Sequence, residues 1–490
     1  RSSEQEGHMK TDKMKQRGLA LSTLALLLAL VACSPTTGER SKGSAEGAPG
    51  EVAQGVADGS VVAPAKQSAL TVSKEAVVAP EGALNPTTAY DPKAGALYLA
   101  WAREKAGQPP AKGKDAKVEA VVARSDDGGK TFAEPVVASA ASDRVRTYTI
   151  SPTQVAVGRQ GEVYVLYLHN VPSDASEYLS EYGQSSLRVV RSDDGGRTFS
   201  APAEIAGADV EGVQTTMEMA TLFVAPDGDL YISFLDERAN LAAATKADPK
   251  AEPAYEATQM RIVRSADGGR TWSKSTLVAE PTCGCCSTKV AQGTKGTLFA
   301  STRSDWKELK DSTDRVRDVF VSASGDDGVT WGKPTKVHDD RFKISGCPDV
   351  HAGLAVDSTG RLHTAWFTGT ERHPGVFYAY SDDDGKTFSR PLTLLTDEWV
   401  PYGDVKLSLD GQDRPWVVFE DRRAEADKII LVRVDPERGA AAFSTSWAGT
   451  APDLAAGKDW ALVAWQTNPG KGEEEEGAGS VRALVARPGA

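Results

Sequence analysis

One turn recurs five times in this chain and constrains its fold more than any other feature. It reads Ser125-Asp-Asp-Gly-Gly-Lys-Thr-Phe132, Ser192-Asp-Asp-Gly-Gly-Arg-Thr-Phe199, Ser265-Ala-Asp-Gly-Gly-Arg-Thr-Trp272, Ser324-Gly-Asp-Asp-Gly-Val-Thr-Trp331 and Ser381-Asp-Asp-Asp-Gly-Lys-Thr-Phe388. The copies start 67, 73, 59 and 57 residues apart. Glycine permits the left-handed backbone of a tight hairpin, the Asp carboxylate accepts backbone N–H groups, and the aromatic pins the turn to a sheet. A strand-like run precedes each copy, at 119–124, 187–191, 260–264, 319–323 and 376–380. Antiparallel strands repeating at this interval predict an all-β chain built as a β-propeller.

The five segments resemble the Asp-box, or BNR repeat, of sialidases and their relatives. That resemblance implies a propeller of four-stranded antiparallel blades, with each Asp-box on a hairpin away from the active face. Inner strands are then expected to start near Pro86, Pro152, Met217, Ser287, Pro348, Pro401 and Pro452. Second strands follow at 96–101, 163–169, 230–235, 297–302, 362–367, 415–419 and 460–466. Six sets look complete, although the sixth lacks an Asp-box. The seventh has three strands, ending at 481–486, and 69–78 can supply its fourth from the N-terminal side. Seven blades closed by an N-terminal strand are therefore expected, with the six blades of sialidases as the alternative.

Ahead of the repeats the chain reads as a targeting segment. Lys10, Lys13, Lys15 and Arg17 precede an apolar run at 19–32, which is too short to span a bilayer core of ~30 Å as a helix. The run ends Leu30-Val31-Ala32-Cys33 and resembles a bacterial lipobox, which implies lipidation of Cys33 and an outer-membrane anchor. Residues 34–67 are rich in Gly, Ser, Ala, Pro and Thr and read as a tether. The expected organisation is thus signal segment 1–32, lipidated Cys and tether 33–67, and a single monomeric propeller over 68–490. Beyond residue 32 there are 51 Lys+Arg and 65 Asp+Glu, a balance of −14 that argues against nucleic acid as a partner.

The remaining four cysteines gather when blades are aligned on Gly228, Gly296 and Gly360. Cys347 falls on Cys283, Asp349 on Cys285, and His351 on Ser287, while Met217 and Met219 take the corresponding places one blade earlier. Strand side chains alternate with period two, so Cys283, Cys285, Cys286, Cys347, His351, Met217 and Met219 are expected to converge at the channel mouth. Two readings stay open. Outside the cytosol four cysteines commonly pair, and Cys283–Cys286 with Cys285–Cys347 is the least strained solution. Thiolate, thioether and imidazole together instead suit a soft metal, copper before zinc. A redox-active thiol group is a third use of the same residues.

Loops after the second strands open on the same face and carry Arg103, His169, Glu237, Arg238, Arg303, Glu371, Arg372, Glu420, Asp421, Arg422 and Arg423. Clustered arginines clamp carboxylates. The sialidase resemblance implies an acidic-sugar hydrolase; by position alone Arg238, Arg303, Arg372 and Arg422 are candidate clamps, Tyr402 and Tyr148 candidate nucleophiles, and Glu420 a further catalytic candidate. No motif matches these positions to the family, and the Arg-Ile-Pro segment of sialidases is missing. The bland reading pairs the same Arg and Glu residues with one another on the surface. A propeller that only binds a carbohydrate or protein on this face is the remaining alternative.

Overall fold

A computed structural model describes residues 70–489, except 106–117, 172–183, 207–208, 211–212, 248–257, 307–314, 345–347, 351, 425 and 468–478. Cys33, Cys347 and His351 lie outside the described residues, as do the signal segment and the tether.

Four four-stranded antiparallel sheets stand apart and a 13-stranded sheet carries the strands at the two ends of the chain; the successive groups of strands are numbered here as units 1 to 7. Unit 3 shows the pattern: Met217–Val224 pairs with Leu230–Asp236, which pairs with Gln259–Ser265, which pairs with Thr276–Ala279. Units 4, 5 and 6 repeat it from Lys289–Gln292, Ala352–Val356 and Val405–Leu409. Unit 2 starts at Gln154–Val157. Val145–Arg146 bridges it to unit 1, pairing with Val118 on one side and with Leu168 and His169 on the other. The 16-residue strand Ala76–Asp91 spans the seam. Its first half pairs with Gly479–Arg487 of unit 7, and its second half with Ala96–Glu104 of unit 1. Thr71 and Val72 extend the seam opposite Arg487 and Ala486. Each first strand lies against the first strand of the next unit, and Thr450–Ala456 of unit 7 lies against Ala76–Asp91.

Alternation along the strands fills the spaces between units with apolar side chains. Trp101, Trp366, Trp416 and Trp465 are fully buried on second strands, and such burial contributes roughly 25 cal/mol per Å² of apolar surface. Among the described residues one short helix, Arg238–Ala247, departs from the all-β expectation. Its alanines favour helix, and Asp236 caps it by accepting from the Arg238 amide at 2.9 Å.

The repeated turns link third strands to fourth strands. In each, a buried Ser hydroxyl accepts the amide of the glycine four residues on, as Ser125 does from Gly129 at 2.9 Å and Ser192 from Gly196 at 2.8 Å. The Asp takes the following amides and the Thr hydroxyl, as Asp194 does from Arg197, Thr198 and Thr198 Oγ1. These bonds hold the carboxyls of Asp127, Asp194 and Asp267 far below the usual range. Two successive left-handed residues make the turn. Asp327 and Asp384 hold the first of them at φ 58° and 59°, where the other copies use glycine.

Candidate functional site

The segment carrying three of the cysteines is pinned between units 3 and 4. The Thr282 amide donates to Thr258 O at 3.0 Å, and the Cys283 amide donates to Arg303 O at 2.9 Å. The loop then turns so that its sulfur atoms face one another. Cys283 Sγ lies 3.3 Å from Cys285 Sγ and 3.4 Å from Cys286 Sγ, and all three fall within 4.8 Å of one another. Cys283 and Cys286 are free thiols with no solvent exposure, packed with Phe342, Val350 and Phe367 of unit 5. Cys285 is half-buried and disulfide-bonded. Its bonding partner lies outside the described residues. The expected Cys283–Cys286 bridge is absent: these two sulfurs share a hydrogen bond instead of a covalent bond.

Two buried arginines frame the thiols. Arg303, 1 % exposed, donates to Arg317 O at 2.7 Å and to Phe367 O. Arg317 contacts Asp305 at 2.5 Å, yet the Nε atoms of both arginines are buried without a hydrogen-bond partner among the described residues. The hydrogen bond from Cys286, helped by the charges of Arg317 and Arg303, lowers the Cys283 thiol; burial and the neighbouring Cys283 charge raise Cys286. Of the two thiols, Cys283 is therefore the one that ionises first.

The methionines do not join this cluster. Met217 packs with Leu166, Leu187 and Phe234, and Met219 with Tyr231, Met260 and Val290, whereas Cys283 and Cys286 sit in a third apolar group. A bulge also parts the two methionines from each other. Glu218 is opposite Leu235 but Thr221 is opposite Ser233, so one extra residue interrupts the alternation, and Met219 takes φ 54°.

The candidate clamp arginines are engaged or scattered. Arg238 forks onto buried Asp236 at 2.9 and 2.7 Å, Arg303 is held by carbonyls, and Arg422 pairs with Glu420 at 3.0 Å. Glu420 itself accepts the amides of Ala451 at 2.7 Å and Asp404 at 3.1 Å, so it braces unit 6 against unit 7. Arg372 and Tyr402 are exposed, and Tyr148 lies under the Arg146 guanidinium. Arg103 and Arg423 pair with Glu119 and with Asp397 and Asp421. Among the loop residues Arg422 pairs with Glu420 and Arg423 with Asp421, but Glu420 is buried and not on the surface.

A profile of the BNR repeat-like domain matches residues 95–412, most of the chain. The chain belongs to the BNR repeat-like domain family. The turns described above are its repeats. Among solved structures, a protein of unknown function from Dyadobacter fermentans is similar at 14% identity and TM-score 0.50, covering 86% of this chain and 99% of that one. A Hadza microbial sialidase is similar at 17% identity and TM-score 0.47, over 69% of this chain and 63% of its own. The α-L-arabinofuranosidase of Fusarium graminearum is similar at 15% identity and TM-score 0.47, over 85% and 98%. No curated protein matches the sequence significantly. The fold of this BNR repeat-like protein is thus a β-propeller.

Sequence reasoning noted Glu237 only as a loop charge. Burial pushes its carboxyl up to about 7, against hydrogen bonds from Asn240 and from Thr258 Oγ1 at 2.8 Å. Its position directly after the second strand of unit 3, next to a helix start, was the available signal.

Proposed function

We propose that this BNR repeat-like protein is a lipid-anchored, extracytoplasmic propeller of seven blades that binds a soft metal ion at the Cys283–Cys286 loop. Copper(I) is the ion of choice and zinc the second. Cys283 and Cys286 are its thiolate ligands, with Cys285 as a third sulfur once its disulfide is opened. The supporting observation is the convergence of three sulfurs within 4.8 Å, two of them reduced and fully buried. The arginine neighbours favour the monovalent ion. Two thiolates around copper(I) keep a negative charge, which Arg303 and Arg317 neutralise, and thiolates prefer soft ions. The apolar cover of Phe342, Val350 and Phe367 excludes water and oxidants from the sulfurs.

The test is metal analysis of full-length protein purified under reducing, oxygen-free conditions and titrated with copper(I) against a chromophoric chelator. One copper per chain is expected, lost in Cys283→Ser and in Cys286→Ser. A chain that retains neither copper nor zinc, with Cys283 and Cys286 still reduced, overturns the assignment. Turnover of a fluorogenic sialoside, abolished by Arg238→Ala or Arg422→Ala, redirects the reading to an acidic-sugar hydrolase.

A further inference from the structure

The first strands of all units share one register, which picks out a ring of equivalent positions. Each unit contributes the residue opposite the fourth position of its second strand. These are Thr88 opposite Leu99, Gln154 opposite Leu166, Thr221 opposite Ser233, Lys289 opposite Ser301, Gly353 opposite Ala365, Lys406 opposite Val418 and Asp453 opposite Ala464.

Four of the seven positions tie neighbouring units together. Thr88 donates its amide and its hydroxyl to Asp453 Oδ2 at 2.7 and 2.8 Å. Gln154 donates to Ala220 O and accepts from the Leu222 amide at 3.0 Å, and Thr221 donates to Thr288 O. The other three, Lys289, Gly353 and Lys406, are consecutive round the ring. Gly353 marks a close approach, since a Cβ there would stand 2.4 Å from Leu407 Cβ. Unit 5 therefore sets no side chain between the two lysines at this level.

The two ammonium groups are unequally served. Lys406 is buried and lies 3.1 Å from Asp404 Oδ2. Lys289 is partly buried, and its ammonium makes no hydrogen bond or ion pair with any described residue. The charged groups acting on it are Lys406, Asp453 and Asp404. Burial, reinforced by Lys406, pushes the Lys289 ammonium down to about 8 despite the two carboxylates. Asp453 is spent on Thr88, and burial raises its carboxyl. An anion seated between the lysines relieves their repulsion and supplies the acceptor that Lys289 lacks.

We propose that Lys289 and Lys406 form a binding site for the oxyanion group of a small ligand, a carboxylate, sulfate or phosphate, on the ring of first strands. The site does not depend on the cysteine loop or on its metal.

Isothermal titration of the full-length protein with sodium acetate, sulfate and phosphate as separate probes tests this. Saturable binding of at least one probe is expected at about pH 6, weakening by about pH 9 as the Lys289 ammonium deprotonates. Lys289→Met and Lys406→Met should each weaken it by about tenfold or more, the loss of one charged hydrogen bond, with Lys289→Arg retaining most of it. The probe that binds tightest separates a carboxylate ligand from a phosphate or sulfate one. Absence of binding by all three probes up to about 0.1 M, where surface charges are screened, overturns the proposal. So does binding that Lys289→Met and Lys406→Met leave unchanged while both variants melt as the unaltered protein does. If both methionine variants unfold, equal affinity in Lys289→Arg and Lys289→Gln also overturns it.

Discussion

The two faces of this propeller are built by opposite rules. On the rim the same eight-residue turn recurs, and each copy repeats the same bonds: Ser hydroxyl to glycine amide, Asp carboxylate to the following amides and Thr hydroxyl. At the other end the described residues vary from unit to unit, although units 3 and 6 share an Asp–Arg fork, Arg238 on Asp236 and Arg423 on Asp421. Unit 3 carries a helix and a buried carboxyl, unit 4 a thiol loop under two arginines, and unit 6 a carboxylate bracing its neighbour. Repetition marks the residues that specify the fold. Departure from it marks the residues free to do chemistry, and these carry the buried charges that a core avoids.

Substitutions can break or sharpen that contrast. The largest effect is expected for Arg303→Met, which deprives two buried carbonyls and the thiol loop of their cation. It should lower unfolding free energy in denaturant by about 3–5 kcal/mol, more than any single rim change. Next is Glu237. Its carboxyl is held at about 7 in the folded chain against an ordinary 4.5, so the folded state keeps a proton that the unfolded chain gives up. This contribution is full below the ordinary value and is lost as pH rises through about 7. Stability measured across that range should fall by up to about 3 kcal/mol, and Glu237→Gln should flatten the slope. Ser192→Ala on the rim leaves the Gly196 amide buried without its acceptor and should cost about 1–2 kcal/mol. Ser125→Ala should cost the same, because the turns are copies; a large difference between the two breaks the rule of equivalence. The smallest effect is a gain. Asp384→Gly removes a side chain from a left-handed position that three other copies give to glycine, and should stabilise by about 0.5–1 kcal/mol.

What could be read from the chain divides along the same line. The turn motif and the strands before it were legible because their chemistry is local; the separate strands expected at 69–78 and from Pro86 instead run largely as the one strand Ala76–Asp91. The cysteine loop was legible as a cluster but not in its bonding, since Cys283 and Cys286 remain thiols under an apolar cover supplied by unit 5. Met217 and Met219 fall in different apolar groups because a single inserted residue after Glu218 shifts the strand's facing, and a bulge leaves no mark in a pattern of period two. Lys289 and Lys406 escaped notice for the opposite reason. Each is one lysine in an ordinary strand, and only the register shared by seven first strands brings them to one level.

The seam has a consequence in time. Arg482 pairs with Glu75, 407 residues earlier, and Ala483 lies opposite Ala76. A chain emerging from the ribosome can form its middle units one after another, each from local hairpins. It cannot complete its edges until the final strand has been made and finds one of the first. That contact closes about 400 residues of chain, and until it forms the first half of Ala76–Asp91 offers an unpaired edge to any passing chain.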